Sequence, residues 1–206
     1  MILHKVFLTI IVLSGIATAL SVDEILSRDI VQPSFDCAKV IDNGKNDDEL
    51  YICNKIGVRN AYENKRLALT DSIYGSYYRL VATHIESKDK VKLKNIAQNM
   101  IKSRKQCLES ENEIWQALPE GANPIIPLFE STDCMQECYL KALRDITKFL
   151  YAVPRYEPIF EKIFYPNPKE YYEVIQNKSI VDIIDKMTQD NLIDKTGKLI
   201  VKVDSK

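Results

Sequence analysis

Apolar residues recur at helical spacing in three long stretches of the chain. Between Arg59 and Ile85 a stripe runs through Leu67, Tyr74, Tyr78, Val81 and Ile85, with Ile73, Tyr77 and Leu80 beside it. Steps of three and four residues place these side chains along one side of an α-helix. A second helix carries Leu93, Ile96, Ala97, Met100, Ile101, Arg104, Cys107 and Leu108 at the same period. A third, from about Asp133 to Tyr151, carries Met135, Cys138, Tyr139, Ala142, Ile146, Phe149 and Leu150. Faces of this kind must be buried against one another, so the pattern predicts an all-α helical bundle. Ahead of it, Ser21 to Asp29 reads as a short helix, with Ser21 and Glu24 at capping-box spacing. Pro33 and the polar run Asp42-Asn43-Gly44-Lys45-Asn46-Asp47-Asp48 then mark a loop-rich stretch.

The texture changes after Tyr151. Pro154, Pro158, Pro166 and Pro168 forbid one continuous helix, yet Ile159, Phe160, Ile163, Phe164 and Tyr165 are too apolar for a free linker. Residues 152–206 are therefore read as an extension packed on the bundle, either an arm or a small α+β appendage. Within it, Ser179 caps a helix bearing Ile180, Ile183, Ile184 and Met187. Leu192 to Val203 has the form of a hairpin turning at Asp194-Lys195-Thr196-Gly197, where glycine supplies the left-handed position.

The amino terminus carries an address. Met1 to Lys5 is short and positive, Val6 to Leu13 is almost wholly apolar, and Ala17-Thr18-Ala19 has the small-x-small form of a cleavage site. Residues 1–19 are expected to be a secretory signal peptide. The apolar run is short for a transmembrane span, so stable membrane insertion is not expected after cleavage, and the protein is expected to be periplasmic or secreted. That compartment changes the meaning of the five cysteines, Cys37, Cys53, Cys107, Cys134 and Cys138. In oxidising surroundings they form disulfides rather than metal or redox centres. Five thiols permit two bridges and one remainder. Cys134 and Cys138 lie four apart on one helix face and are poorly placed to bridge each other, so one of them is expected to reach Cys107.

Charge is unevenly distributed, although the total is only −1. Seven basic residues and one acid, Asp89, lie between Lys88 and Lys105. Alternating with an apolar face and without interleaved aromatics, they describe a solvated helix surface rather than a nucleic-acid site. From Glu109 to Glu137 the chain holds seven acids and no base, together with Trp115 and several prolines. Bounded by Cys107 and Cys134, this segment reads as a stapled acidic loop. Glu111, Glu113, Trp115 and Glu120 are its candidate contacts to a cationic protein partner, because complementary charge speeds encounter and preorganisation limits the entropy cost.

Catalytic constellations are not in evidence. Beyond the leader the only histidine is His84, which flanks a helical stripe. There is no G-x-S-x-G elbow, P-loop or G-x-G-x-x-G, and no cofactor or metal is expected. The chain is read as a binding protein rather than an enzyme.

Several of these features coincide in one family. Pro33-Ser34-Phe35-Asp36-Cys37-Ala38-Lys39, followed by Tyr51-Ile52-Cys53, resembles the opening of the LprI-like lysozyme-inhibitor family of exported bacterial proteins. The resemblance continues through Leu67-x-x-x-Asp71-x-x-Tyr74-x-x-x-Tyr78, a helix with Gln98, Arg104 and Cys107, and a last helix entered at Cys134 or Cys138. It covers residues 32–151 and departs where Met100 or Ile101 replaces a tryptophan and where the tail begins at Ala152. It implies a small disulfide-stapled helical domain in which Cys37 bridges Cys53 and Cys107 bridges Cys134, with Cys138 as the alternative. It further implies binding and inhibition of a lysozyme-like cell-wall hydrolase. The competing expectation is a non-inhibitory structural or interaction module of the cell envelope, because function lives in sites rather than folds.

Overall fold

Long helices follow the three apolar stripes, at wider bounds than periodicity alone sets. The computed structural model describes residues 31–43, 45–53, 61–117, 119, 125–194 and 196–200, with the side chains of 61–64, 110–112, 114–115 and 125–130 outside that description. The leader 1–19 and the helix expected over Ser21–Asp29 lie outside the described residues. Among these residues a 3-10 turn at Cys37–Lys39 precedes seven α-helices. They are α1 (Asp47–Ile52), α2 (Ala61–His84), α3 (Lys90–Ala117), α4 (Ile125–Ala152), α5 (Glu157–Ile163), α6 (Pro168–Asn177) and α7 (Ile180–Gln189). The protein is an all-α bundle stapled by Cys37–Cys53 and Cys107–Cys134, the pairing that the resemblance implies. None of its described helices is long and apolar enough to cross a membrane.

Helix α4 is the hub, packing on α2, α3, α5, α6 and α7. Its sequence explains why. Met135, Tyr139, Ala142, Ile146 and Phe149 form one buried row, and Gln136, Leu140, Leu143, Thr147 and Leu150 form a second, one residue out of phase. Two adjoining rows make an arc too wide for a single neighbour. Two of its buried hydroxyls have partners on other helices: the Tyr51 and Thr132 hydroxyls lie 3.1 Å apart and those of Tyr77 and Thr147 3.2 Å apart. Helix α2 is enclosed more completely, with every residue from Leu67 to Tyr77 buried.

The tail is part of this core. The α+β alternative is corrected: among the described residues its only strand pairing is an isolated bridge between Ile193 and Leu199. The four prolines break the helix without preventing helices, because Pro158 and Pro168 stand in the first turns of α5 and α6, where no backbone donor is needed. Phe160 and Phe164 are fully buried. Their rings lie 5.0 Å from Tyr151 on α4 and 5.7 Å from Tyr77 on α2, respectively. Arg144 on α4 closes α6 by donating to the Ile175 and Lys178 carbonyls at 3.0 Å each. These contacts neutralise the orphan acceptors of a helix end. Helix α7 begins at the expected cap, Ser179, which forms a full capping box with Asp182 bonding reciprocally.

The last described turn also docks on α2. Asp194 accepts from the Thr196 and Lys198 backbone amides. Burial opposes its charge, yet the Thr196 hydroxyl and then these amides hold its carboxyl below the ordinary range. Ser72 donates to the Thr196 carbonyl and Ser76 accepts from the Leu199 amide. Gly197, at φ +80°, permits the approach; a β-carbon there would lie 2.3 Å from Leu69. A second clip lies just past the carboxyl end of α2, where the Tyr156 hydroxyl accepts from the Glu86 amide and donates to Asp89 at 2.6 Å.

Because bundle and tail share one core, Phe164→Ala is expected to destabilise the whole molecule, by about 3–5 kcal/mol. Urea unfolding followed by far-ultraviolet circular dichroism should keep a single transition at a lower midpoint. A separate early transition would show that the tail unfolds on its own.

Candidate functional site

The polar centre of the molecule is built around Arg104. Helical spacing puts this residue on the inner stripe of α3, between Met100 and Cys107, and only 4% of it is exposed. A guanidinium cannot be left unpaired there. It donates through Nε and Nη2 to Asp48 Oδ2 at 2.8 and 2.6 Å, and lies 3.5 Å from Asp71 Oδ1. Its Nη1 also donates to the Tyr139 hydroxyl, which passes its own proton bond to Asp71 Oδ1 at 2.6 Å. Asp71 Oδ2 accepts the backbone N–H of Ser34. One cation therefore ties together α1, α2, α3, α4 and the segment before α1. Burial opposes the Arg104 charge, but Tyr139, Asp48 and Asp71 around it hold the guanidinium more firmly protonated than usual. Burial, followed by the Asp71 charge, raises the Tyr139 phenol well above its ordinary value.

Above this network opens a cleft of about 460 Å³. Ser34 and Phe35 form one wall, Asp71, Tyr74 and Tyr78 of α2 another, and Gln98 and Arg104 of α3 a third. These are residues that carry the family resemblance, now brought to one place. Gly75 permits the first wall to approach, since a β-carbon there would fall 2.3 Å from that of Ser34. Charges of both signs line the cleft: Glu49 beside Arg79 and Lys94. The Tyr74 ring leans on Tyr139 at 5.5 Å. Its hydroxyl is buried without a hydrogen-bond partner among the described residues, and burial is the largest cause raising its pKa.

The candidate contacts chosen from sequence lie elsewhere, in the segment between Cys107 and Cys134. That segment is not a loop: α3 runs on to Ala117 and α4 begins at Ile125, so it is a helical hairpin. The correction has a physical cause. From Glu109 to Ala117, the end of α3, acids and polar residues outnumber apolar ones, and such a stretch resembles a loop in composition. Glu109 and Glu113 are exposed on α3, and Asp133 and Glu137 are exposed on α4. Each pair is one helical turn apart. The backbones of Glu111 and Trp115 belong to α3, while their side chains and all of Glu120 lie outside the described residues. Cys107–Cys134, with Cα atoms 5.8 Å apart, clamps the hairpin at its base. Cys138 is the unbonded thiol. His84 sits exposed in the last turn of α2 with Nδ1 2.7 Å from the Leu80 carbonyl oxygen, occupied with its own helix end.

Sequence reasoning missed Asp48 and Tyr139 as members of the centre. The available signal was Arg104 itself, since a cation on an apolar stripe requires buried carboxylates elsewhere. Comparison with protein-family models, curated proteins and solved structures finds no match to this chain.

Removing the cation leaves two carboxylates buried. Arg104→Leu is expected to cost about 3–5 kcal/mol, read as a lowered midpoint in chemical denaturation. Alkali attacks the same core from the other side. Tyr74, Tyr77 and Tyr139 are all raised above the ordinary value of 10.0, chiefly by burial. Their stabilisation is complete below that value and is lost as pH rises, because the unfolded chain releases these protons first. Tyrosinate absorbance in a pH titration should therefore appear in two groups, with the buried phenols ionising only as the circular dichroism signal collapses.

Proposed function

We propose that this chain is an exported binding protein of the lysozyme-inhibitor kind, which blocks a cationic cell-wall hydrolase by docking the α3–α4 hairpin against it. The observation that carries this reading is the one-signed charge of that hairpin: seven acids and no base from Glu109 to Glu137, six of them on two helices held by a disulfide. Such a surface accelerates encounter with a positive partner. Its helical, cross-linked backbone has little conformational freedom left to lose on binding. Export rests on the leader read in Met1–Ala19, and two disulfides fit an oxidising periplasm or exterior. The likeness to the LprI-like family supports the same partner class.

A second reading is a non-inhibitory interaction module of the cell envelope, and the cleft favours it. An unpartnered buried phenol at Tyr74, over a floor of fixed charge, is an arrangement suited to taking a polar group from another molecule.

Purified protein at micromolar concentration should slow the lysis of cell-wall suspensions by lysozyme. Replacing Glu109, Glu113, Asp133 and Glu137 together by lysine should weaken that effect about tenfold or more, and added salt should weaken it in the unaltered protein. Lysis that proceeds unchanged in the presence of the protein would end the inhibitor reading. Binding that survives the hairpin changes but is lost in Tyr74→Phe would favour the cleft.

A further inference from the structure

Three sulfurs meet where α3 crosses α4. Cys107 and Cys134 are bonded, and the thiol of Cys138 lies 3.8 Å from Cys107 Sγ. All three sulfur atoms are within 4.8 Å of one another. Cys134 and Cys138 are one turn apart on α4, so both reach the same residue of the facing helix. The three differ in exposure. Cys107 is buried, Cys138 is half-buried, and Cys134 is exposed. A groove of about 480 Å³ between α3 and α4 is lined by both Cys134 and Cys138, together with Met100, Glu137 and Lys141, and gives an external reagent room to approach.

From this geometry we infer that Cys107, Cys134 and Cys138 form an exchanging thiol–disulfide site, which presents Cys134 as a surface nucleophile towards external disulfides. In the first step Cys138 loses its proton to solvent, and its thiolate, which lies beside the Cys107–Cys134 bond, swings into line with that bond and attacks Cys107 Sγ. The Cys107–Cys138 bond forms as the Cys107–Cys134 bond breaks, and the electron pair leaves on Cys134. No oxidant or reductant is consumed. In the second step the Cys134 thiolate attacks one sulfur of a low-molecular-weight or protein disulfide. A mixed disulfide forms at Cys134, and the other half departs as a thiol.

The direction of exchange follows from the surroundings of the two sulfurs. Burial raises the Cys138 thiol, Arg104 on α3 offsets part of that, and Glu137 on its own helix adds to it. Exchange moves the ionisable sulfur from this half-buried place to an exposed one, where the thiolate is hydrated. The cross-link between α3 and α4 is preserved, shifted by one helical turn along α4, so the bundle need not open. The inference stands apart from the docking proposal, since it rests on sulfur geometry and not on the hairpin's charge.

The test is peptide mapping of native protein incubated with oxidised glutathione, quenched with acid and digested without reductant. Glutathione is expected on Cys134, several-fold in excess over Cys138, in molecules whose Cys107 is bonded to Cys138. Glutathione confined to Cys138 beside an intact Cys107–Cys134 bond would overturn the inference, as would no adduct at all. A second measurement uses Cys134→Ser. Oxidised in air, this variant should close Cys107–Cys138 and contain no free thiol. Two persistent thiols in it would show that the pair cannot bridge and would equally overturn the proposal.

Discussion

A guanidinium withdrawn from water is the constraint around which this molecule is arranged. Arg104 must be neutralised where it lies, and the groups that do so come from sites distant in sequence: Asp48 from α1, Asp71 from α2 and the Tyr139 hydroxyl from α4. The short helix α1 has little reason to be stable alone at six residues. Its attachment comes from Asp48, from the buried Leu50, Tyr51 and Ile52, and from the Cys37–Cys53 bridge, whose loop of 16 residues contributes about 3 kcal/mol in the chain-entropy account. Such a buried ionic centre adds less net stability than an apolar one of the same volume. Its effect is on arrangement: groups from four helices and the amino-terminal segment are drawn to one point.

The second organising feature is the double apolar row of α4. A helix with one such row completes its burial with a single neighbour, whereas two adjoining rows leave a face open after α2 and α3 have packed. Helices α5, α6 and α7 close that face, and the aromatic series Tyr77, Phe164, Tyr171, Phe160, Tyr151 and Tyr172 runs through the contact. The tail is thereby a structural requirement of α4 rather than an ornament on a finished bundle.

Legibility in sequence followed the physics of each segment. The stripes of α2, α3 and α4 were readable because a half-buried helix writes its period into its residues. The disulfide pairing was readable only through family resemblance, since spacing left the alternatives open. The acidic hairpin was mistaken for a loop because helix backbone in solvent is satisfied internally and makes no demand on composition. The tail's helices were obscured by prolines, which break a chain in an interior turn but are tolerated at a first turn. Asp48 was hidden in a polar run that looked wholly exposed. The cleft could not be found in advance, because its walls come from three separate elements. Several of the residues lining it, Ser34, Phe35, Asp71, Tyr74, Tyr78, Gln98 and Arg104, were nonetheless among those that carried the resemblance.

Gly75 bears on how that cleft could vary. Its missing side chain is what allows Ser34 and Phe35 to lie against α2, and Ser34 in turn shields the Asp71 carboxylate. The gap between wall and helix is thus metered by a hydrogen atom. A methyl group at position 75 would push the Ser34 wall off α2 and, with it, the amide that the Asp71 carboxylate accepts. The bore of the recess and the integrity of the scaffold therefore meet in one residue, Ser34, and cannot be tuned apart.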